Sequence, residues 1–277
     1  MKKLITLFTL LTLGSIAYSQ TSAFEVKVSG KGQPILFLPG FTTPGEVWDE
    51  TIAHLNKNYE THQFTYAGFG DVPPIEFPWY ENISGELIQY MKKQKLKKVI
   101  LVGHSMGGML AIDLAAAYPK LIQKTVLVDA LPCIREIIMP QVPVDQIAYE
   151  SPYNLQIINA TDSALKVTAG YMAMGMSNQP DVQPKLVKWI MNSDRETYVY
   201  GYTDLLKLDL RNKLANIESE TLILGADFPS KEAVIPNFES QFANLKNKQI
   251  TIAENSKHFI MLDQPSWFYD QVNQFLK

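Results

Sequence analysis

Short apolar runs recur along this 277-residue chain, and they constrain its fold more than any other feature. The clearest lie at 34–38, 98–102, 125–129 and 221–224, with a weaker run at 250–252. Because these runs are aliphatic without alternating with polar residues, they are typical of strands covered on both faces, as in a parallel sheet. The pattern therefore predicts a central sheet that is mostly parallel.

Helical patterns lie between the runs. Residues 83–91 and 268–276 carry apolar side chains at positions i, i+4, i+7 and i+8, and 109–118 is rich in alanine. Alternating strands and helices predict an α/β fold, in which helices flank the sheet and the crossovers are right-handed. Residues 24–28 alternate apolar and polar, which is typical of an edge strand.

One long segment breaks this alternation. Residues 131–207 contain many prolines, methionines and tyrosines, and we expect them to form a mostly helical insert. The core would then consist of 20–130 and 208–277. The chain has no internal repeat and no low-complexity linker.

Composition excludes several protein classes. The chain is 46% apolar and 19% charged, which is typical of a folded globule rather than a disordered chain. Its net charge of −3 argues against nucleic-acid binding, which normally needs a basic surface. The single cysteine, Cys133, excludes a disulfide scaffold and a site with several cysteine ligands, and we expect it to be buried and inert.

The first 19 residues have the pattern of a secretory signal. Lys2 and Lys3 precede an apolar run at 4–13, and Ala17 and Ser19 supply small residues before a cleavage point. The run is too short to span a bilayer comfortably, and no cysteine follows it to carry a lipid. We expect an exported protein, periplasmic or secreted, without a stable membrane anchor.

The strongest chemical signal is the segment Gly103-His104-Ser105-Met106-Gly107-Gly108. It follows a predicted strand and precedes a predicted helix, which is the setting that gives the G-x-S-x-G pattern meaning. A turn this tight strains the backbone of its serine, and glycines on either side avoid clashes. The pattern predicts Ser105 as a nucleophile at a helix N-terminus. The alternative is a structural turn with a capping serine.

On these residues the chain resembles the α/β-hydrolase superfamily, in its single-domain, serine-nucleophile form with a helical lid. The resemblance extends from about residue 33 to 277. It implies that an acid and then a histidine follow the serine along the chain. His54 and His62 precede Ser105, and His104 lies within the turn. The segment 256–265 is similar to the family's histidine loop, so the resemblance implies His258 as the general base.

The resemblance also implies the remaining site residues. The third triad member is expected at Asp227, after the run at 221–224, although the spacing is shorter than is usual in the family. Asp129, which ends the preceding run, is the alternative. The oxyanion hole is expected from the backbone N–H groups of Met106 and Phe41. Pro39-Gly40 stands before Phe41 where the family usually has His-Gly.

These features predict an exported serine hydrolase that cleaves a small to medium, largely apolar ester through an acyl-enzyme. Lactonases, thioesterases, C–C bond hydrolases and amidases share the triad and remain alternatives. A second class is a non-catalytic binding protein on the same scaffold. A third class, a structural or adhesion domain, would carry repeats or a surface anchor, and the sequence has neither.

No cofactor, metal or nucleic-acid partner is expected. The chain lacks a G-x-G-x-x-G motif after a strand, a Walker loop and an H-E-x-x-H motif. The expected partner is a small ester-type molecule. Residues 171–176, rich in methionine, together with Tyr198 and Tyr202 either line an apolar pocket or pack the insert onto the core.

Overall fold

The computed structural model of this protein describes residues 22–277, so the predicted signal segment lies outside the described residues. A seven-stranded sheet forms its centre, in the order β1-β3-β2-β4-β5-β6-β7. Neighbouring strands are parallel except for β1, which pairs antiparallel with β3. The strands are β1 (Phe24–Gly30), β2 (Gln33–Leu38), β3 (Tyr59–Tyr66), β4 (Val99–His104), β5 (Ile122–Val128), β6 (Glu220–Ala226) and β7 (Lys248–Ala253).

Helices cover both faces of the sheet, which confirms the predicted α/β class. They are α1 (Asp49–Ala53), α2 (Trp79–Lys93), α3 (Met106–Ala117), α4 (Arg135–Ile138), α5 (Pro152–Ile158), α6 (Asp162–Met176), α7 (Gln183–Met191), α8 (Tyr202–Lys207), α9 (Lys231–Gln241), α10 (Ile260–Asp263) and α11 (Pro265–Phe275). Short 3-10 helices lie at Gly45–Trp48, Val144–Gln146 and Arg211–Asn216, and a π-helical turn lies at Thr197–Gly201. Among residues 22–277, none of the helices combines the length and the apolarity needed to cross a membrane.

Alternate residues of the central strands supply two separate cores. Leu36 and Leu101 belong to the core on one face, while Phe37 and Val102 belong to the core on the other. All four side chains are fully buried, and each such burial stabilises the fold by about 1.5–3 kcal/mol. The apolar runs lack alternation because both of their faces are covered.

One strand has no counterpart among the predicted runs. The sequence of β3 is YETHQFTY, in which polar residues outnumber apolar ones, and His62 lies within this strand. Its buried polar side chains are satisfied locally: His62 Nδ1 lies 2.7 Å from the Tyr90 hydroxyl, and Gln63 donates to the Gly45 carbonyl at 2.6 Å. Hydrogen bonds therefore satisfy buried polar side chains in this strand, beside the buried apolar Phe64 and Tyr66.

The segment between β5 and β6 contains α4 to α8 and is mostly helical, as predicted. Ser151 and Thr161 cap α5 and α6, because their hydroxyl oxygens accept the N–H groups of Asn154 and Ala164. We refer to residues 131–207 as the helical insert. Its division from the core stays a prediction.

Glycine is required where α3 meets the ends of β2 and β4. A Cβ on Gly107 would lie 2.1 Å from the Leu38 carbonyl oxygen, whereas nothing lies within 4 Å of a Cβ on Gly85 in α2. We expect Gly107→Ala to lower the free energy of unfolding by about 3 kcal/mol, because backbone must move to admit the methyl group. Gly85→Ala, the matched control, is expected to raise it by about 1 kcal/mol, because alanine favours a helix interior. Urea denaturation of both variants tests this, and equal effects would contradict it.

Candidate active site

Ser105 occupies the sharp turn between β4 and α3. Its backbone has φ +53° and ψ −120°, a conformation that costs a non-glycine residue about 1–3 kcal/mol. The Ser105 N–H donates to the Val128 carbonyl at 2.9 Å, and its own carbonyl accepts the Gly108 N–H at 2.9 Å. A Cβ on Gly103 would lie 2.3 Å from the Gly107 carbonyl oxygen, so both predicted glycines serve the turn. The turn thus sets Ser105 at the carboxyl edge of the sheet, before α3.

The loop after β2 lies directly against Ser105. A Cβ on Gly40 would stand 3.3 Å from Ser105 Cβ and 2.7 Å from His104 Nδ1. The Phe41 N–H follows this contact along the chain, and the Met106 N–H begins α3 immediately after Ser105. The two amides predicted for an oxyanion hole thus come from two different elements that meet near Ser105.

His258 is held by Asp129. His258 Nδ1 lies 2.6 Å from Asp129 Oδ2, and both side chains are partly exposed. Asp129 follows β5 with φ +43°, and its Oδ1 accepts the Ala226 N–H at 3.0 Å. The carboxylate is therefore oriented by the backbone of β6 on one side and binds the imidazole on the other.

The expectation that Asp227 orients His258 is wrong in this structure. Asp227 Oδ2 accepts the Asn255 N–H at 2.8 Å, and its Oδ1 accepts the Ser256 N–H at 3.0 Å. The carboxylate thus supports the backbone that leads to His258, but its hydrogen bonds go to amides rather than to the imidazole. The alternative weighed from the sequence, Asp129, is the residue that contacts the ring.

His104 is a neutral neighbour of His258. Its side chain is fully buried, and its Nε2 lies 2.9 Å from the His258 carbonyl oxygen, so Nε2 carries the proton and donates. Its Nδ1 has no hydrogen-bond partner in the described part of the chain. Burial, and then the nearby His258, hold the pKa of His104 well below its ordinary value of 6.5. His104 therefore packs rather than exchanging protons.

An aromatic wall surrounds the side chain of Phe41. Its ring centroid lies 4.8 Å from that of Phe69, 5.7 Å from Trp79 and Tyr202, and 6.3 Å from Tyr198. Tyr198 and Tyr202 come from the helical insert, and burial raises the pKa of each to about 12, so both phenols stay protonated. The insert thus reaches the loop that adjoins Ser105. The sequence offered no signal for Phe69 or Trp79 in this wall.

The chain belongs to the alpha/beta hydrolase family, whose model matches residues 35–271. It is 22% identical to the N-formylmaleamate deformylase of Pseudomonas putida over 95% of this chain and 96% of that protein. It is 21% identical to the pimeloyl-[acyl-carrier protein] methyl ester esterase of Aeromonas hydrophila over 91% of this chain and 98% of the relative. An esterase structure from Exiguobacterium antarcticum superposes with a TM-score of 0.76 at 19% identity, covering 91% and 94% of the two chains.

The buried neutral His104 generates a prediction about stability and pH. Below about pH 6.5 the unfolded chain binds a proton at His104, whereas the folded chain excludes it. Protonation therefore favours the unfolded state, and the unfolding free energy decreases as the pH falls below that value. Between pH 7.5 and 5.5 we expect the unfolding free energy of the native protein to fall by about 1.4 kcal/mol more than that of His104→Gln. His62, whose pKa is also lowered by burial, is present in both proteins and cancels. Urea denaturation at both pH values measures the difference, and identical pH dependence would contradict the prediction.

Proposed function

We propose that this protein is an exported serine hydrolase that cleaves a small to medium, largely apolar carboxylic ester through an acyl-enzyme. The observation that carries the proposal is the 2.6 Å hydrogen bond between His258 and Asp129. The ring of His258 lies 4.6 Å from that of His104, the residue directly before Ser105 in the strained strand-to-helix turn. A serine alone is a poor nucleophile near neutral pH and needs an adjacent imidazole to take its proton.

The hydrogen bond to Asp129 assigns the roles of the two ring nitrogens. Nδ1 of His258 carries the proton donated to Asp129, so Nε2 is free to accept the Ser105 hydroxyl proton. Ser105 then attacks the ester carbonyl, and the alcohol leaves with that proton. Water, activated by the same imidazole, attacks the acyl-enzyme and releases the acid.

In this mechanism the backbone N–H groups of Phe41 and Met106 donate hydrogen bonds to the developing oxyanion. Each such donor is worth about 3 kcal/mol in the transition state. The mechanism needs no side chain from the loop, so Pro39 in place of the usual histidine is compatible with it.

The choice of an ester rests on the names of relatives and on the aromatic wall. A methyl ester esterase and an esterase are among the similar proteins, and the rings around Phe41 would suit an apolar acyl group. The similar deformylase keeps the amide alternative open, as the shared triad keeps lactones, thioesters and C–C bonds open. Export is proposed from residues 1–19 alone, and the partner is proposed to be a small molecule.

Removing the nucleophile tests the reaction. We expect Ser105→Ala to lower kcat for p-nitrophenyl esters, acetate to decanoate, by at least about 10⁴-fold, because water must then attack directly. The exposed Ser240 at the end of α9 provides the matched control, and Ser240→Ala should retain full activity. A fluorophosphonate should label the native protein and the control but not Ser105→Ala. Undiminished hydrolysis by Ser105→Ala would contradict the proposal.

Two aspartate variants test which acid orients the imidazole. We expect Asp129→Asn to lower kcat by about 10⁴-fold, because an amide at this position favours the wrong tautomer of His258. Asp227→Asn should cost far less, since Asp227 binds only loop amides. Steady-state kinetics of both variants on one ester decides the matter. If Asp227→Asn proved the more damaging change, the assignment to Asp129 would be wrong.

A further inference from the structure

A buried carboxylate lies outside the proposed triad, on the segment that follows His258. Asp263 ends α10, and only 3% of it is exposed. Its oxygens accept hydrogen bonds from one hydroxyl and two backbone amides rather than from a cation. Burying a carboxylate is costly unless such donors hold it. These three donors therefore hold the Asp263 side chain in place.

Two of these donors belong to the helical insert. The Ser177 hydroxyl donates to Asp263 Oδ1 at 2.5 Å, and the Asn178 N–H lies 3.1 Å from both oxygens. Ser177 is fully buried and directly follows α6. Asp263 thus binds the end of the longest helix in the insert.

The third donor adjoins His258. The Lys257 N–H donates to Asp263 Oδ2 at 2.8 Å, so the backbone before His258 is linked to α6 through Asp263. The backbone after His258 contacts α6 directly, because the Phe259 N–H donates to the Met176 carbonyl at 3.1 Å. The backbone on both sides of the proposed base is therefore fastened to one helix end.

The same helix reaches the aromatic wall. Met172 of α6 accepts a hydrogen bond from the Tyr198 hydroxyl, with an oxygen–sulfur distance of 3.1 Å, and Tyr198 stacks near Phe41. One element, α6, therefore contacts both the wall where we expect the acyl group and the backbone that carries His258.

We propose that Asp263 is a positioning residue that fastens the end of α6 to the backbone of His258, so that the helical insert sets the place of the imidazole. The inference rests on the proposed function and adds a specific role for the insert. The end of α6 is then part of the proposed active site, because the backbone on both sides of His258 is attached to it. In proton transfer, a displacement of about 1 Å costs up to 10²-fold in rate.

Asp263→Asn is the primary variant, because it keeps the shape and replaces one acceptor oxygen with an N–H₂ donor. We expect kcat for a p-nitrophenyl ester to fall 10- to 100-fold while KM changes less than twofold. Ser177→Ala, which removes only the insert's hydroxyl, should lower kcat less and should add little further loss in the Asp263→Asn background. If Asp263→Asn does not fold, Ser177→Ala carries the test by the same kcat-against-KM split.

Asp227→Asn is the matched control, because it changes a carboxylate that hydrogen-bonds to the histidine loop rather than to the helical insert. Asp227 also accepts two amides of the histidine loop, but those of Asn255 and Ser256. Hydrogen–deuterium exchange in the α6 end, 173–178, should rise in Asp263→Asn and stay unchanged in Asp227→Asn. This readout does not depend on hydrolysis, so it stands even if the native protein cleaves no ester.

Two outcomes would overturn the proposal. One is a lower melting temperature in Asp263→Asn with kcat unchanged, which would make Asp263 purely structural. The other is unchanged exchange at 173–178 in both Asp263→Asn and Ser177→Ala. Failure of the proposed function would look different, because the native protein would then neither hydrolyse esters nor react with a fluorophosphonate.

Discussion

The close approach of α3 to the ends of β2 and β4 is the constraint on which the rest of the site depends. The backbones meet so tightly that Gly103 and Gly107 have no room for a Cβ, and the chain can turn between them only by forcing Ser105 to φ +53°. The strain is offset by the buried strands on either side, whose apolar side chains fill two cores. Once the turn is fixed, the loops after β2 and β5 and the loop that carries His258 can meet at a single point.

Two histidines lie near that point, and they differ in burial and in the groups that they contact. His258 is partly exposed and hydrogen-bonds to the Asp129 carboxylate, the kind of partner that its proposed role as general base requires. His104 is sealed beneath it, so its ring stays neutral and offers a single N–H to the His258 carbonyl. The rings of His104 and His258, whose centroids lie 4.6 Å apart, therefore have different proposed roles because they differ in burial. A second protonated imidazole here would repel the one that the proposed mechanism forms at His258.

The sequence predicts those parts of the molecule that depend on local pattern. Five apolar runs correspond to β2, β4, β5, β6 and β7, because parallel strands buried on both faces need such runs. The turn around Ser105 is predictable because it requires glycine at 103 and 107. The strand β3 is missing from the apolar runs because the polar residues Thr61, His62 and Gln63 are buried in it, and hydrogen bonds satisfy the last two.

Which aspartate contacts His258 depends on long-range structure that no local sequence pattern indicates. Val128 pairs with Leu224, so Asp129 stands level with Gly225, and Asp227 lies two residues further on, over the loop that follows β7. Both aspartates follow strands, and only the register and the side-chain directions distinguish them. The partnership of Asp263 with Ser177 joins residues 86 positions apart, and no local pattern indicates it.

Covalent trapping tests the central claim most directly. The protein would be mixed with p-nitrophenyl butyrate, quenched with acid during turnover, digested and analysed by mass spectrometry. We predict a butyryl group on the peptide containing Ser105. Hydrolysis of the ester without any adduct on Ser105, or an adduct on another residue such as Ser256 or Cys133, would contradict the assignment of Ser105 as the nucleophile.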